Sequence, residues 1–348
     1  MNTDGKPRHV FQWHITHACN LRCGHCYQDD YQISTPEKQL YSVLDKYTDF
    51  VRQNGFYGQI NLTGGEPLLH PAFFRLAEEI KRRGFRLGIL TNGTLIDEDM
   101  ADRIHSVHPV FVQISLDGSP AIHDNIRGKG AFRKALCAIR LLKKRGTRVL
   151  VSFTAQKSNL KSFRRLARIC SRCKVDKLWW DRVVTDSPEA QSVLALSTEE
   201  FRRFLICTKK LEKKYRRQDG SSRVSNERSL QFLGCRSVGN AYECSAGKKL
   251  FAVLADGTVL PCRRLPLEIG NIFESSFDAL LCSSPVIDEL RGMTYPKECS
   301  GCLHRRCCSG GAKCITYAQT GELDKKDPNC FLEIDALCGR ARLKSSLK

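Results

Sequence analysis

Three cysteines stand within eight residues, as Cys19-x3-Cys23-x2-Cys26. Three thiolates at this spacing can each hold one iron of a cubane [4Fe–4S] cluster, which leaves the fourth iron open to a small molecule. A zinc site would need a fourth donor, and His17 or His25 could supply it. Other polar groups recur just after apolar segments: Gly64-Gly65-Glu66-Pro67, Thr91-Asn92-Gly93, Ser115 with Asp117, and then Arg127. Glycines at such a place let backbone approach a ligand closely.

The elements that must position these groups alternate. Strands are predicted over 10–16, 58–63, 86–91, 110–117, 148–156 and 177–184, with helices near 37–54, 71–84, 97–106, 130–146 and 159–172. That alternation predicts a parallel sheet, as an open barrel or a doubly wound α/β fold. Successive strand side chains face opposite ways. Gln12, His14 and Thr16 therefore share a face, as do Gln59, Asn61 and Thr63, Gln113, Ser115 and Asp117, and Ser152, Thr154 and Gln156. A closed eight-stranded barrel fills its interior with Val, Ile and Leu. A parallel sheet covered on both faces reads as nearly continuous apolar runs. One polar face on four strands fits neither, and predicts an incomplete barrel whose lumen holds a polar ligand. Each distinctive polar group falls at a strand's C-terminal end, where such barrels carry their active sites. Trp179, Trp180, Asp181 and Arg182 end the sixth strand and are expected near the substrate, with one tryptophan on each face.

These residues resemble the radical S-adenosylmethionine (SAM) enzymes. The resemblance rests on Cys19-Asn20-Leu21-Arg22-Cys23-Gly24-His25-Cys26, Thr63-Gly64-Gly65-Glu66-Pro67-Leu68, Thr91-Asn92-Gly93-Thr94 and Ser115-Leu116-Asp117-Gly118, over roughly 10–184. It implies a partial (β/α)6 TIM barrel and a SAM-binding [4Fe–4S] cluster on Cys19, Cys23 and Cys26. It implies that Gly64, Gly65 and Glu66 meet the SAM amino group. Ser115 and Asp117 would lie near its ribose or methionine atoms, Arg127 would pair with its carboxylate, and Asn92 and Ser152 would join the SAM contacts. His25 would lie against adenine. The implied chemistry is reductive cleavage of SAM to a 5′-deoxyadenosyl radical that abstracts a substrate hydrogen.

Eleven of the 18 cysteines fall from Cys235 onward. This tail resembles the SPASM extension of the same enzymes, over roughly 235–335. The resemblance implies one auxiliary cluster on Cys235, Cys244, Cys262 and Cys314, and another on Cys299, Cys302, Cys308 and Cys330. The pattern departs where Ser309-Gly310-Gly311 leads to Ala312, with the cysteine two residues later at Cys314. Cys307 and Cys338 are alternative ligands, and zinc ribbons share the Cys-x2-Cys spacing. The expected division is a core barrel over 1–196, a basic bridging helix and loop over 197–234, and a cysteine-rich SPASM domain over 235–348.

The 56 basic and 37 acidic residues give a net charge of +19. Three clusters on eleven thiolates would lower this to about +14. In 199–217 an apolar stripe of Phe201, Phe204, Leu205, Leu211 and Tyr215 leaves the charges on the solvent face. Such a surface would attract an acidic peptide or a carboxylate-rich substrate, and no nucleic-acid-binding motif is present. No apolar run reaches 18 residues and the first seven carry no secretory signal, so a cytoplasmic enzyme without a membrane span is expected. The resemblance favours modification of a ribosomally made peptide or protein, by thioether formation, carbon–carbon crosslinking or epimerisation. The expected partners are flavodoxin or ferredoxin as reductant and a separate peptide-recognition protein. Tetrapyrrole side-chain decarboxylation or oxidation is the alternative, and a non-catalytic zinc or electron-transfer protein a second. Sulfatase maturation fits less well: those relatives place an acidic base directly after the cysteine matching Cys262, where this sequence has Arg263.

Overall fold

A computed structural model describes residues 5–28, 30–185, 187–232, 242–302, 304–334 and 341–342. Six parallel strands form where β-branched and aromatic residues concentrate. They are β1 (Arg8–His14), β2 (Tyr57–Thr63), β3 (Arg86–Thr91), β4 (Phe111–Ser115), β5 (Val149–Ala155) and β6 (Lys177–Arg182). Between them lie α1 (Glu37–Gln53), α2 (Phe73–Arg82), α3 (Glu98–Ser106), α4 (Pro120–Arg127), α5 (Ala131–Lys144) and α6 (Phe163–Arg172). The six strands pair in sequence order, which is the order of an open (β/α)6 barrel.

The alternation read from the sequence places the two layers. Phe11, Trp13, Ile60, Leu62, Ile89, Val112, Ile114 and Val151 are buried in the apolar core. Their neighbours of opposite parity, including Thr63, Gln113, Ser115, Ser152 and Thr154, line the lumen. Two tryptophans divide as expected. Trp179 faces the lumen and donates from Nε1 to Gln113 Oε1 at 3.1 Å, across from β4. Trp180 packs edge-on against Phe204 in the core and donates to Asn226 Oδ1 at 2.8 Å.

Two further helices, α7 (Pro188–Leu194) and α8 (Thr198–Lys214), follow β6, and then the short strand β7 (Val224–Ser225), which pairs with β6. The stripe on α8 is buried at Phe201, Phe204, Leu205 and Leu211. Phe204 meets Phe153 of β5, Phe163 of α6 and Trp180 of β6. The segment expected as a bridge thus covers the last barrel strands, because its apolar face needs a partner.

The remaining chain extends the same sheet. Strands β8 (Leu250–Val253), β9 (Thr258–Leu260) and β10 (Gly270–Asn271) are followed by α9 (Phe277–Ser283), α10 (Pro285–Gly292), α11 (Arg305–Cys308) and α12 (Lys313–Thr320). Strand β8 runs parallel to β1, with Val10 opposite Leu250 and Trp13 opposite Val253. The sheet order is therefore β10-β9-β8-β1-β2-β3-β4-β5-β6-β7. No described helix is long and apolar enough to cross a membrane.

Candidate active site

The loop after β1 carries the three thiols, and neighbouring strand ends hold it on three sides. Gly65 N donates to Thr16 O at 2.9 Å and Glu66 N to Ala18 O at 2.8 Å, from the β2 side. Asn92 Nδ2, after β3, donates to Asn20 Oδ1 at 2.9 Å. Gly24 N donates to Ile126 O at 2.9 Å, at the end of α4. Both glycines are required by this close approach. A Cβ on Gly65 would lie 2.4 Å from Ala18 O, and one on Gly64, whose φ is +139°, would lie 2.1 Å from Thr16 O.

Cys19, Cys23 and Cys26 line one cavity together with Gly64, Gly65, Asn92, Ser115, Arg127 and Ser152. Asn92 Nδ2 lies 4.0 Å from Cys19 Sγ and Arg127 Nη1 lies 3.8 Å from Cys23 Sγ. Burial pushes the Cys23 thiol up to about 11, against the pull of Arg127. A cation that withdraws the proton would relieve that burden. The soft thiol set and the glycine-lined wall fit an iron–sulfur cluster with a small ligand beside it. No three described His, Cys, Asp or Glu side chains are gathered as ligands of a single ion. The thiolates of a cubane attach to different irons and stand further apart.

The two carboxylates differ from expectation: neither lines the cavity. Glu66 is fully buried and accepts from Thr91 Oγ1 at 2.7 Å, Asn92 N at 2.8 Å and Leu68 N at 3.3 Å. Burial raises it to about 7 in spite of these donors. Its oxygens tie the β2 and β3 loops together. Asp117, also fully buried, accepts from Arg127 Nε at 2.5 Å and from Thr154 N at 2.8 Å. Burial alone would raise its carboxyl, but Arg127 and His25 hold it below the ordinary range. Asp117 thus aims Arg127 at the thiols, and His25 Nε2 lies 3.8 Å from the same carboxylate. Burial pushes His25 down to about 4, so the ring is neutral at pH 7.

The far wall was less legible. Asp181 accepts from both Arg228 and Arg264, and Arg264 also donates to Arg182 O. Arg182 forks onto Asp327 with two bonds of 2.7 Å and reaches Asn329 at 2.8 Å, so β6 is clamped to the C-terminal segment. Tyr27, Tyr31, Arg263 and Arg264 also line the cavity. Of these, only Arg263 carried a signal in the sequence, through its place after Cys262.

The C-terminal thiols fall into two groups. Cys314 interacts electrostatically with Cys262 and Cys244, and Cys308 with Cys330, Cys299 and Cys302. Burial raises Cys314 and Cys308 to about 12 and Cys299 to about 11. Cys314 sits in the first turn of α12, two residues after Ala312 at its N-terminal boundary. Cys235 and Cys338 lie outside the described residues.

Residues 13–168 match the sequence pattern of the Radical SAM superfamily, and residues 244–303 that of the SPASM iron-sulfur cluster-binding domain. Fe-coproporphyrin III synthase of Methanosarcina barkeri is 32% identical over 366 residues, spanning 94% of this chain and 88% of that protein. AdoMet-dependent heme synthase of the same organism is 26% identical, spanning 93% and 96%. The antilisterial bacteriocin subtilosin biosynthesis protein AlbA of Bacillus subtilis is 26% identical, spanning 86% and 65%. Among solved structures, anSMEcpe with bound AdoMet shares the fold at a TM-score of 0.77 and 20% identity, covering 93% of this chain and 90% of that one. The chain belongs to the radical SAM superfamily. It is a radical SAM enzyme with a C-terminal SPASM domain, and its cofactors are SAM, the [4Fe–4S] cluster of the core and auxiliary iron–sulfur clusters.

Proposed function

We propose that this enzyme abstracts hydrogen from a carboxylate-bearing side chain of a tetrapyrrole. The observation that carries the reading is the charge of the cavity wall: among the described residues, Arg127, Arg182, Arg263 and Arg264 line it, with Asp181 as the one lining carboxylate. Two relatives that match along most of both chains, at 32% and 26% identity, support it, being named for Fe-coproporphyrin III and heme. When bound, cluster and SAM supply the 5′-deoxyadenosyl radical. Cys19, Cys23 and Cys26 would hold the cluster. Gly64 and Gly65 would offer their backbone to the SAM amino group, and Asn92, Ser115 and Ser152 their polar side chains. Arg127, held at Nε by Asp117, keeps its outer nitrogens for the SAM carboxylate. Cys244, Cys262 and Cys314, with Cys235, would hold one auxiliary cluster, and Cys299, Cys302, Cys308 and Cys330 the other. The exposed side of Cys26 suits a reductant such as flavodoxin or ferredoxin.

The test is anaerobic reconstitution followed by incubation with SAM, dithionite and iron-coproporphyrin III deuterated in its propionates. Deuterium in 5′-deoxyadenosine and a mass change in the porphyrin are expected. SAM cleavage with no deuterium transfer would overturn the tetrapyrrole reading. The second reading, modification of a peptide, is favoured by the basic solvent face of α8, which an acidic peptide would complement, and by the likeness to AlbA. It predicts deuterium uptake or a mass change in a peptide encoded beside the gene.

A further inference from the structure

The cations that line the cavity differ in whether they have an anion. Arg127 is paired with Asp117, Arg182 with Asp327, and Arg264 with Asp181. Arg263 is half-buried on the same wall, and no described residue gives it an ion pair or a hydrogen bond. Its neighbours in sequence point elsewhere. Cys262 feels the charges of Arg264 and Arg228, and Cys314 that of Arg264. Those two arginines are held by Asp181 and lie near the first group of C-terminal thiols. The Arg263 charge instead acts on His14 and Tyr27, at the end of β1 and in the loop of the three core thiols. His14 is buried and neutral at pH 7, so it brings no countercharge.

A guanidinium drawn partly out of water without an anion is destabilised. A planar fork of donors facing an open cavity is matched by a carboxylate, which can take two of its N–H groups. Position adds to this. Arg263 reaches the cavity from the C-terminal half, near the end of β1 and Tyr27 of the thiol loop. An anion bound there would fix the part of the substrate that lies between it and the thiol loop.

We infer that Arg263 is the specificity residue of the enzyme: it receives a carboxylate of the substrate and so selects the side chain presented for hydrogen abstraction. This rests on the tetrapyrrole reading and assigns it a contact.

The test measures binding of iron-coproporphyrin III and of its tetramethyl ester to reconstituted enzyme with SAM, followed by the shift of the porphyrin absorbance. Wild type is compared with Arg263→Gln, Arg263→Lys and Arg165→Gln at matched iron content. Arg165, exposed on α6, controls for the loss of one positive charge. Arg263→Gln is expected to weaken the acid porphyrin about 10- to 100-fold, as loss of a charge-assisted pair does. Arg263→Lys should keep part of the affinity, Arg165→Gln all of it, and the ester should bind wild type and Arg263→Gln alike. Acid porphyrin bound equally by wild type and Arg263→Gln would overturn the assignment and leave the tetrapyrrole reading standing. Failure of wild type to bind the acid porphyrin would overturn both.

Discussion

At the scale of single residues, a carboxylate that does not line the cavity positions one of the charges that do. Asp117 is fully buried, and its two oxygens are taken by Arg127 Nε and Thr154 N. Removing the carboxylate leaves Arg127 uncompensated beside Cys23, and breaking a buried pair in this way destabilises by about 3–5 kcal/mol. Asp117→Ala should therefore lower stability by about that amount and lower 5′-deoxyadenosine formation at least tenfold, while Asp117→Asn, which keeps an acceptor for Thr154, should lose less. Urea unfolding and anaerobic turnover check this, and an alanine variant within about 1 kcal/mol of wild type would remove the argument. A second buried group sets a pH dependence. His9 on β1 is packed among Tyr47, Phe50, Phe56 and Phe251, and burial, aided by Arg291, pushes its ring down to about 3. A lowered histidine stabilises the fold above its ordinary value of 6.5, and the stabilisation is lost as pH falls from there towards 3. Between pH 6.5 and 5 the loss from this residue is about 2 kcal/mol. His9→Phe should flatten the fall in stability over that window by about this amount, read as unfolding midpoints at pH 7.5 and 5; an unchanged slope would exclude His9 as its source.

At the scale of elements, glycine turns set the spacing between loops. Gly65 lets the loop after β2 lie against the thiol loop, with a prospective Cβ 2.4 Å from both His17 O and Ala18 O. Those atoms are backbone and cannot rotate aside. Gly65→Ala should displace the thiol loop, so that reconstitution gives about four fewer irons per chain than wild type while far-ultraviolet dichroism is preserved. Full iron content would show that the loop can yield. A similar device stands in the C-terminal half. Gly311, with φ +99°, lies where a Cβ would come within 2.6 Å of Asp327 Oδ2, the oxygen that holds Arg182. How far such elements could be read in advance follows from the range of their interactions. The six barrel strands, the lumen parity and the thiol loop were legible because each is specified by a local alternation or spacing. The inward turn of Glu66 and Asp117 was not, since the donors that capture them, Asn92 N and Thr154 N, belong to the loop after β3 and to strand β5. Nor was the role of α8, whose stripe was visible but whose partners on β5, α6 and β6 were not.

At the scale of the whole molecule, the two halves share one sheet and one aromatic core. Strand β8 covers the edge of β1, which the open barrel would otherwise leave unpaired. Phe251 of β8 and Phe277 of α9, both buried, pack with Phe11, Tyr47 and Phe50 of the barrel. Polar ties follow the same seam: Thr35 Oγ1 donates to Ala255 O at 2.8 Å, and Lys46 Nζ to Ile272 O at 2.6 Å. Fully burying a phenylalanine side chain contributes about 1.5–3 kcal/mol, so Phe251 and Phe277 alone contribute about 3–6 kcal/mol. That is comparable with the whole stability of an ordinary domain, about 5–15 kcal/mol. An unpaired strand edge beside an exposed aromatic patch is also a template for association. Truncation after residue 232 should therefore give a barrel that aggregates or binds a hydrophobic dye, rather than an independent SAM-cleaving core. Light scattering and dye fluorescence on the truncated chain would decide it. A soluble monomer that still cleaves SAM would mean that β1 tolerates a free edge and that the SPASM half is an appendage. The expected result would mean that the half bearing Arg263 also completes the barrel, so any change that loosens it should weaken substrate placement and fold together.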